Sequence, residues 1–288
     1  MRRENLPLAL VLTGHPDRVP ALRLETAADR RTLLRQNGRP VLLARLDADR
    51  HGVTVHRRHG YRSPVSPLRA DEARHRSDWL HRIAGELSAS DRGPLHAGRL
   101  LLTRRSGFPP YVWHTDLVRA WPTVHLDWDR DGWNGVLPLR PLSAPDSPRV
   151  KAYRRQAREG VLPPVLLWWL PEFDGWLILD GHDRAVAALA EGRDPEAVVL
   201  AHGADEETNA LARAGAIEAY ERWLAQLGPG QGPARRAVSR SYAEALASVP
   251  YDEDSTPTWP IPGGAAEWDA WMLQFRHEHD RDEPLRRH

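Results

Sequence analysis

A run of five residues that begins at Asp180 combines the side-chain types that phosphate chemistry requires. Arg184 offers a planar, permanently charged guanidinium group that matches the oxygens of a phosphate. Gly181 allows the backbone to turn sharply and a ligand to approach it closely. Asp180 and Asp183 are candidate Mg²⁺ ligands, and His182 is a candidate acid–base group. The segment therefore predicts an anion-binding site.

The elements on either side of this run support that prediction. Trp176–Leu179 is apolar throughout, which is typical of a strand covered on both faces. The alanine-rich run that begins at Ala185 favours a helix. The polar run therefore joins a strand to a helix N-terminus, whose unpaired N–H groups and positive dipole end attract anions. We expect the backbone of residues 181–185 to contact the anion.

The same residues also have a purely structural interpretation. Asp180 or Asp183 would cap the helix by accepting hydrogen bonds from its first N–H groups. Arg184 would then be a surface residue paired with one of these carboxylates. This segment alone leaves both interpretations open.

The order of predicted elements around the turn is strand, helix, two strands, helix and strand. The predicted elements are a strand at 136–142, a helix at 149–159 that ends at Gly160, strands at Val165–Leu170 and Trp176–Leu179, a helix at Ala185–Glu191 and a strand at Ala197–Ala201.

With these elements and motifs, the run from Leu137 to about Ala201 resembles the ParB/sulfiredoxin-like fold family. Val136–Ser143 looks like the first strand and loop of that family, and Ala152–Val165 resembles its helix, its glycine and the approach to its next strand. Asp174–Gly192 is similar to its hairpin, phosphate-binding turn and helix, and Pro195–Leu200 fits its closing strand.

The resemblance implies that Gly181 and Arg184 contact the phosphates of a nucleotide. The family includes partition-type CTPases that load onto DNA, sulfiredoxins and small-molecule kinases. The cysteine of the sulfiredoxins would fall at His182, and the chain has no cysteine, so sulfiredoxin activity is excluded. The partition-type motif carries glutamate and arginine where this chain has His182 and Asp183. The Asp-Gly-His-x-Arg form looks closer to the kinase-like members.

Asp183 places a negative charge beside the predicted phosphate, which is unfavourable unless a cation lies between them. A Mg²⁺ held by Asp180 or Asp183 would remove this conflict. Asp146, in the loop after the first strand, is a candidate to activate an acceptor hydroxyl, with His182 as the acid–base group. Gly181, Asp183, Arg184 and Ala185 would hold the nucleotide.

These residues predict a nucleotide-binding enzyme that uses ATP or another nucleotide with Mg²⁺. Its reaction would be phosphoryl transfer to a small-molecule acceptor, or nucleotide hydrolysis. The alternative is a non-enzymatic regulatory or DNA-associated protein that uses the nucleotide as a switch. A third possibility is that the turn is only structural and the N-terminal half carries the function.

The predicted fold class is α/β (α+β), with a small mixed-sheet domain between two other regions. Residues 1–130 form an N-terminal mixed α/β region, 136–203 the phosphate-binding domain and 204–288 a mainly helical extension. In the N-terminal region, Ala27–Gln36 and Ala70–Leu87 are predicted helices.

Composition narrows the choice of partners. The chain has 288 residues and a net charge of +1, which gives no overall support for nucleic-acid or membrane binding. No cleavage site follows the N-terminal apolar run, and no apolar stretch approaches the ~20 residues that span a bilayer. The sequence therefore predicts a soluble, cytoplasmic protein and leaves the oligomeric state open.

Overall fold

The protein is described by a computed structural model that contains two mixed β-sheets and, within the described residues, six α-helices. This architecture confirms the predicted mixed α/β class. The structure describes residues 2–5, 9–15, 19–47, 51–67, 78–105, 108, 110–113, 119–128, 133–227, 231–248 and 256–282. None of the helices in these ranges is long and apolar enough to cross a membrane.

The strands are β1 (Arg2–Asn5), β2 (Ala9–Thr13), β3 (Leu22–Ala27), β4 (Arg31–Gln36), β5 (Arg39–Asp47), β6 (Gly52–Arg57), β7 (Arg99–Arg105), β8 (Thr123–Asp127), β9 (Val136–Pro138), β10 (Val165–Leu170), β11 (Gly175–Asp180), β12 (Ala197–His202) and β13 (Thr258–Pro260). The helices are α1 (Trp79–Ala89), α2 (Pro148–Glu159), α3 (His182–Ala190), α4 (Glu206–Gln226), α5 (Gly232–Ser248) and α6 (Gly264–Asp282).

The first sheet has seven strands in the order β1-β2-β7-β12-β10-β11-β9. β12 runs parallel to β10, β9 runs parallel to β11, and the other neighbours are antiparallel. The second sheet has six strands in the order β13-β3-β4-β5-β6-β8, of which only the β13–β3 pair is parallel.

The two sheets share one hydrophobic core. Leu24 and Leu42 of the second sheet belong to the same buried cluster as Leu200 and Trp168 of the first. Trp169, the next residue after Trp168 on β10, lies in a separate buried cluster on the opposite face of the first sheet. The two tryptophans therefore face opposite sides of their strand. Both are buried, so neither offers a ring to a ligand.

The predicted helix at Ala27–Gln36 is wrong. Residues Arg31–Gln36 form β4, which pairs antiparallel with β3 through a turn that holds Asp29 and Arg30 at a φ of 56° each. Leu33 packs under α6, whereas Leu34 packs between the sheets. A strand buried on both faces has adjacent apolar residues, and so short a run cannot be distinguished from a helix by periodicity.

The predicted helix at Ala70–Leu87 corresponds in its second half to α1, which begins at Trp79. The first part of the prediction falls within residues 68–77, which lie outside the described residues. The buried residues of α1 include Trp79, Ile83 and Leu87.

The elements predicted for 136–203 are all present, although β9 ends at Pro138 rather than at 142. The predicted regions nevertheless share their sheets. β7 from the N-terminal region pairs with β12, so the first sheet continues across the predicted boundary at 130–136. β13 and α6 from the C-terminal extension pack against the second sheet.

Candidate anion-binding site

The turn from β11 into α3 begins at Gly181, which caps the helix with a φ of 91°. The first helical hydrogen bond is donated by the N–H of Ala185 to the carbonyl of Gly181, at 2.9 Å. The N–H groups of residues 182–184 precede that bond, so the helix itself supplies no acceptor for them. They lie at the positive end of the helix dipole.

Gly181 is required here for two reasons. Its backbone is in the left-handed region, which other residues adopt only at a cost. A Cβ at this position would lie 2.8 Å from Nη2 of Arg184. The guanidinium group therefore covers the face of the glycine.

Arg184 is buried, with 5% of its surface exposed. Its Nη2 donates to the carboxylate of Asp180 at 2.8 Å and to the carbonyl of Pro164 at 3.0 Å. Its buried Nε has no hydrogen-bond partner. The pairing with Asp180 matches the structural interpretation of the sequence, but it lies inside the protein rather than on its surface.

Asp183 is also buried and is surrounded by donors from the loop before α2 and from the first turn of α2. Ser143 donates its hydroxyl to Oδ1 at 2.9 Å. The other oxygen, Oδ2, lies 3.2 Å from Nε of Arg149 and 3.7 Å from Nη2 of Arg140. These two arginines compensate the negative charge of Asp183. The repulsion expected between Asp183 and a bound phosphate is thereby reduced.

Arg140 and Arg149 are the accessible positive charges of the site, with side chains 40% and 60% exposed. Neither was predicted from the sequence. Arg149 reaches the turn because α2 packs on α3 through Val150, Val186 and Ala187. Arg140 follows β9, which pairs with β11, the strand that leads into the turn. No local pattern signals these contacts, since they depend on the packing and pairing of separate elements.

His182 lies inside the protein, with 1% of its surface exposed. Its Nε2 accepts a hydrogen bond from the N–H of Leu139 at 3.1 Å. Burial, assisted by the charges of Arg140 and Arg184, lowers the pKa of this imidazole well below 6.5. The ring is therefore neutral and connects β9 to α3. This geometry does not support the predicted acid–base role, because the ring has no path to a ligand in solution.

A further arginine lies close to His182 without reaching solvent. Arg57 is fully buried and donates to the backbone carbonyls of Ala120, Pro122 and Pro138. Burial lowers the pKa of its guanidinium to about 10, so the group still carries its charge near neutral pH. This charge adds to the positive potential behind the turn.

Two other predicted site residues are not placed where the prediction needs them. Asp146 is exposed in the turn before α2, and within the described ranges no hydrogen bond or ion pair connects it to α3. Ala185 is fully buried, and its N–H is used by the helix. Asp146 as activator of a hydroxyl stays a prediction without geometric support.

The donor set of the turn fits an anion better than Mg²⁺. Asp180 and Asp183 are both paired with arginine side chains, which a cation would have to displace. Among the residues that the structure describes, no group of three or more histidine, aspartate or glutamate side chains could hold a metal ion. We derive no step through Mg²⁺.

Comparison of the chain with protein-family models, with curated proteins and with solved structures finds no match. The resemblance to the ParB/sulfiredoxin-like family therefore stays a prediction.

Proposed function

We propose that the chain binds a phosphorylated ligand, in the first instance a nucleotide, at the N-terminus of α3. The observation that carries this proposal is the set of three arginines around the turn. Arg140 and Arg149 neutralise Asp183, Arg184 neutralises Asp180, and one positive charge remains in excess. The unpaired N–H groups of the helix add to that excess.

The three arginines have different tasks in this proposal. Arg149 and Arg140 are exposed and contact the phosphate oxygens, for which a guanidinium group provides parallel donors. Arg184 is buried and holds Asp180 and the turn in place. A phosphate that binds here uses the outward N–H groups of the two exposed arginines, while the same guanidinium groups continue to neutralise Asp183.

The geometry favours binding over catalysis. Recognition of phosphate requires only the arginines and the helix N-terminus, whereas phosphoryl transfer also requires a group that acts on the acceptor. The predicted candidates for that task are His182, which is buried, and Asp146, which is exposed and unconnected to the turn. We therefore propose a nucleotide-responsive binding protein, and we retain phosphoryl transfer or hydrolysis as the alternative.

The test is a thermal-shift and calorimetric titration with ATP, ADP, CTP and GTP, each with and without Mg²⁺. A ligand at 100 times its Kd stabilises the folded state by about 2.7 kcal/mol. We expect at least one nucleotide to raise the Tm of the wild type, and Arg149→Ala to weaken its binding about tenfold, because a charge-assisted contact is lost.

The matched control is Arg155→Ala. Arg155 also lies on α2, and its side chain is 71% exposed and pairs with Glu159. It should bind nucleotide as the wild type does. The proposal is wrong if no nucleotide binds, or if Arg149→Ala and Arg155→Ala respond equally. Measurement of phosphate release under the same conditions separates the two candidates, because the binding protein shows negligible turnover.

A further inference from the structure

As far as the structure describes the chain, α6 leaves part of the outer face of the second sheet open. α6 lies across it and buries Leu33 and Leu43 under Trp268, Met272 and Phe275. These two leucines are directly paired between β4 and β5. Side chains two residues away along each strand point to the same face. The next row on this face is therefore also directed outward, beside the helix.

That next row is polar. It contains Arg31 on β4, Arg45 on β5 and Thr54 on β6, which are paired across the strands. Between this row and α6 lies an open groove with a volume of about 820 Å³. Its floor is the sheet, and one wall is formed by the α6 residues Met272 and Arg276.

The groove contains positive charge for which the described residues provide no partner. Arg30, Arg45 and Arg276 are exposed, and no hydrogen bond or ion pair with a described residue engages their side chains. In contrast, Arg31 pairs with Asp29 at 2.7 Å and with Asp269 at 3.2 Å. These two carboxylates are therefore already engaged, while the three unpaired arginines face the groove.

The groove also has an apolar side. Leu273 of α6 is 57% exposed. Met272 of the same helix lines the groove with it. A ligand that fills the groove would thus remove apolar surface from water and at the same time provide partners for guanidinium groups.

We propose that this groove is a second ligand site, distinct from the turn at α3, which takes a small organic anion. The charged group of the ligand, a phosphate or a carboxylate, contacts Arg45 and Arg276. Its apolar part packs against Leu273 and Met272. The volume falls in the range of small-molecule sites, about 300–1,000 Å³.

A nucleic acid fits the groove less well than a small anion. A phosphate backbone is favoured by a continuous stripe of positive charge. Here Asp29, Asp47 and Asp269 lie among the arginines that line the groove. Alternating charge of this kind suits a ligand with one compact anionic group.

The test uses 8-anilinonaphthalene-1-sulfonate, a fluorescent probe that combines a sulfonate with aromatic rings. We expect saturable binding to the full chain at one site. Arg45→Ala and Arg276→Ala should each weaken the binding about tenfold, because each removes a charge-assisted contact. Both side chains are exposed and have no partner among the residues that the structure describes, so the variants should fold as the wild type does.

Two controls define the position of the probe. Arg240→Ala removes an exposed arginine from α5 and should leave the affinity unchanged. Arg149→Ala alters the α3 turn and should also leave it unchanged, so this result is separate from the outcome for the proposed nucleotide site. The inference is overturned if binding is not saturable, or if Arg240→Ala or Arg149→Ala weakens it as much as Arg45→Ala does.

Competition then identifies the anionic group. Displacement of the probe by inorganic pyrophosphate but not by citrate indicates a phosphate ligand, and the reverse indicates a carboxylate. If neither anion displaces the probe, its binding is only apolar, and the inference is overturned.

Discussion

The α3 turn and the groove beside α6 both gather arginines, but they use them in opposite ways. At the turn, Arg184 is buried and paired with Asp180, and Asp183 is enclosed by two further arginines. In the groove, Arg45 and Arg276 are exposed and have no hydrogen bond or ion pair with a described residue. Arg184 therefore contributes to the folded structure, whereas the two arginines of the groove are available for recognition.

This difference has an energetic cause. A buried charge that loses its partner is left without water or a counter-charge, so its removal is costly. An exposed charge remains hydrated, and its contribution to stability is small. The loss of the buried Arg184 should thus change the free energy of unfolding, and variants in the groove should change only ligand binding.

The largest expected effect is that of Arg184→Ala. The substitution leaves Asp180, whose side chain is 17% exposed, without its cationic partner. We expect the free energy of unfolding, measured by urea denaturation, to fall by about 3–5 kcal/mol. Arg155→Ala, at an exposed pair, should change it by less than about 0.5 kcal/mol. Equal effects of the two variants would show that the Arg184–Asp180 pair does not stabilise the fold.

The next largest effect on stability is expected at two glycines with positive φ. Gly160 ends α2, and Gly181 begins α3. Gly160 has a φ of 71° and no neighbouring atom within 4 Å of the position that a Cβ would occupy, so Gly160→Ala should cost about 1 kcal/mol. Gly181→Ala adds a clash with the guanidinium of Arg184, and its cost should approach about 3 kcal/mol. Calorimetric unfolding of both variants measures the difference. Equal costs would mean that Arg184 moves aside freely.

A smaller effect is expected in the pH dependence of stability. His182 stays neutral in the folded chain, whereas an unfolded histidine has a pKa of about 6.5. Below that pH the unfolded state takes up a proton that the folded state does not, so stability falls as the pH falls. Each such histidine contributes a slope of about 1.4 kcal/mol per pH unit. His56 and His96, whose pKa values burial lowers to about 4, add to this slope between pH 6.5 and 4.

His182→Gln tests this prediction, because the amide oxygen of the glutamine can still accept a hydrogen bond from the N–H of Leu139. Urea denaturation between pH 4 and 6.5 should show a slope lower by about 1.4 kcal/mol per pH unit than that of the wild type. His59→Gln, at an exposed position, is the control and should leave the slope unchanged. A wild-type slope in His182→Gln would mean that His182 becomes protonated in the folded protein.

The smallest effect on stability is expected in the groove. Arg45→Ala and Arg276→Ala should each change the free energy of unfolding by less than about 0.5 kcal/mol, since neither side chain has a partner among the described residues to lose. The same urea denaturation measures it. A loss above about 1 kcal/mol would place that arginine in the network that holds the fold, and the contrast between the two regions would disappear.

The elements around the turn could be predicted because each has a local cause. The apolar run of β11, the glycine that follows it and the alanine-rich run of α3 are all adjacent in the sequence. The β4 strand could not be predicted in the same way. Leu33 and Leu34 are buried on opposite faces by different parts of the chain, so the sequence pattern there resembles that of a helix.

The sequence by itself determined that a strand, a glycine turn and a helix N-terminus follow one another at Gly181, with Arg184 one turn into the helix. The tertiary structure decided what surrounds that turn. Ser143, which bonds to Asp183, lies forty residues earlier in the chain, and it comes into reach because β9 pairs with β11 and α2 packs on α3. The tertiary structure likewise buried His182 and left a groove open beside α6. Local propensity operates over a few residues, whereas burial and charge pairing depend on elements that the fold brings together.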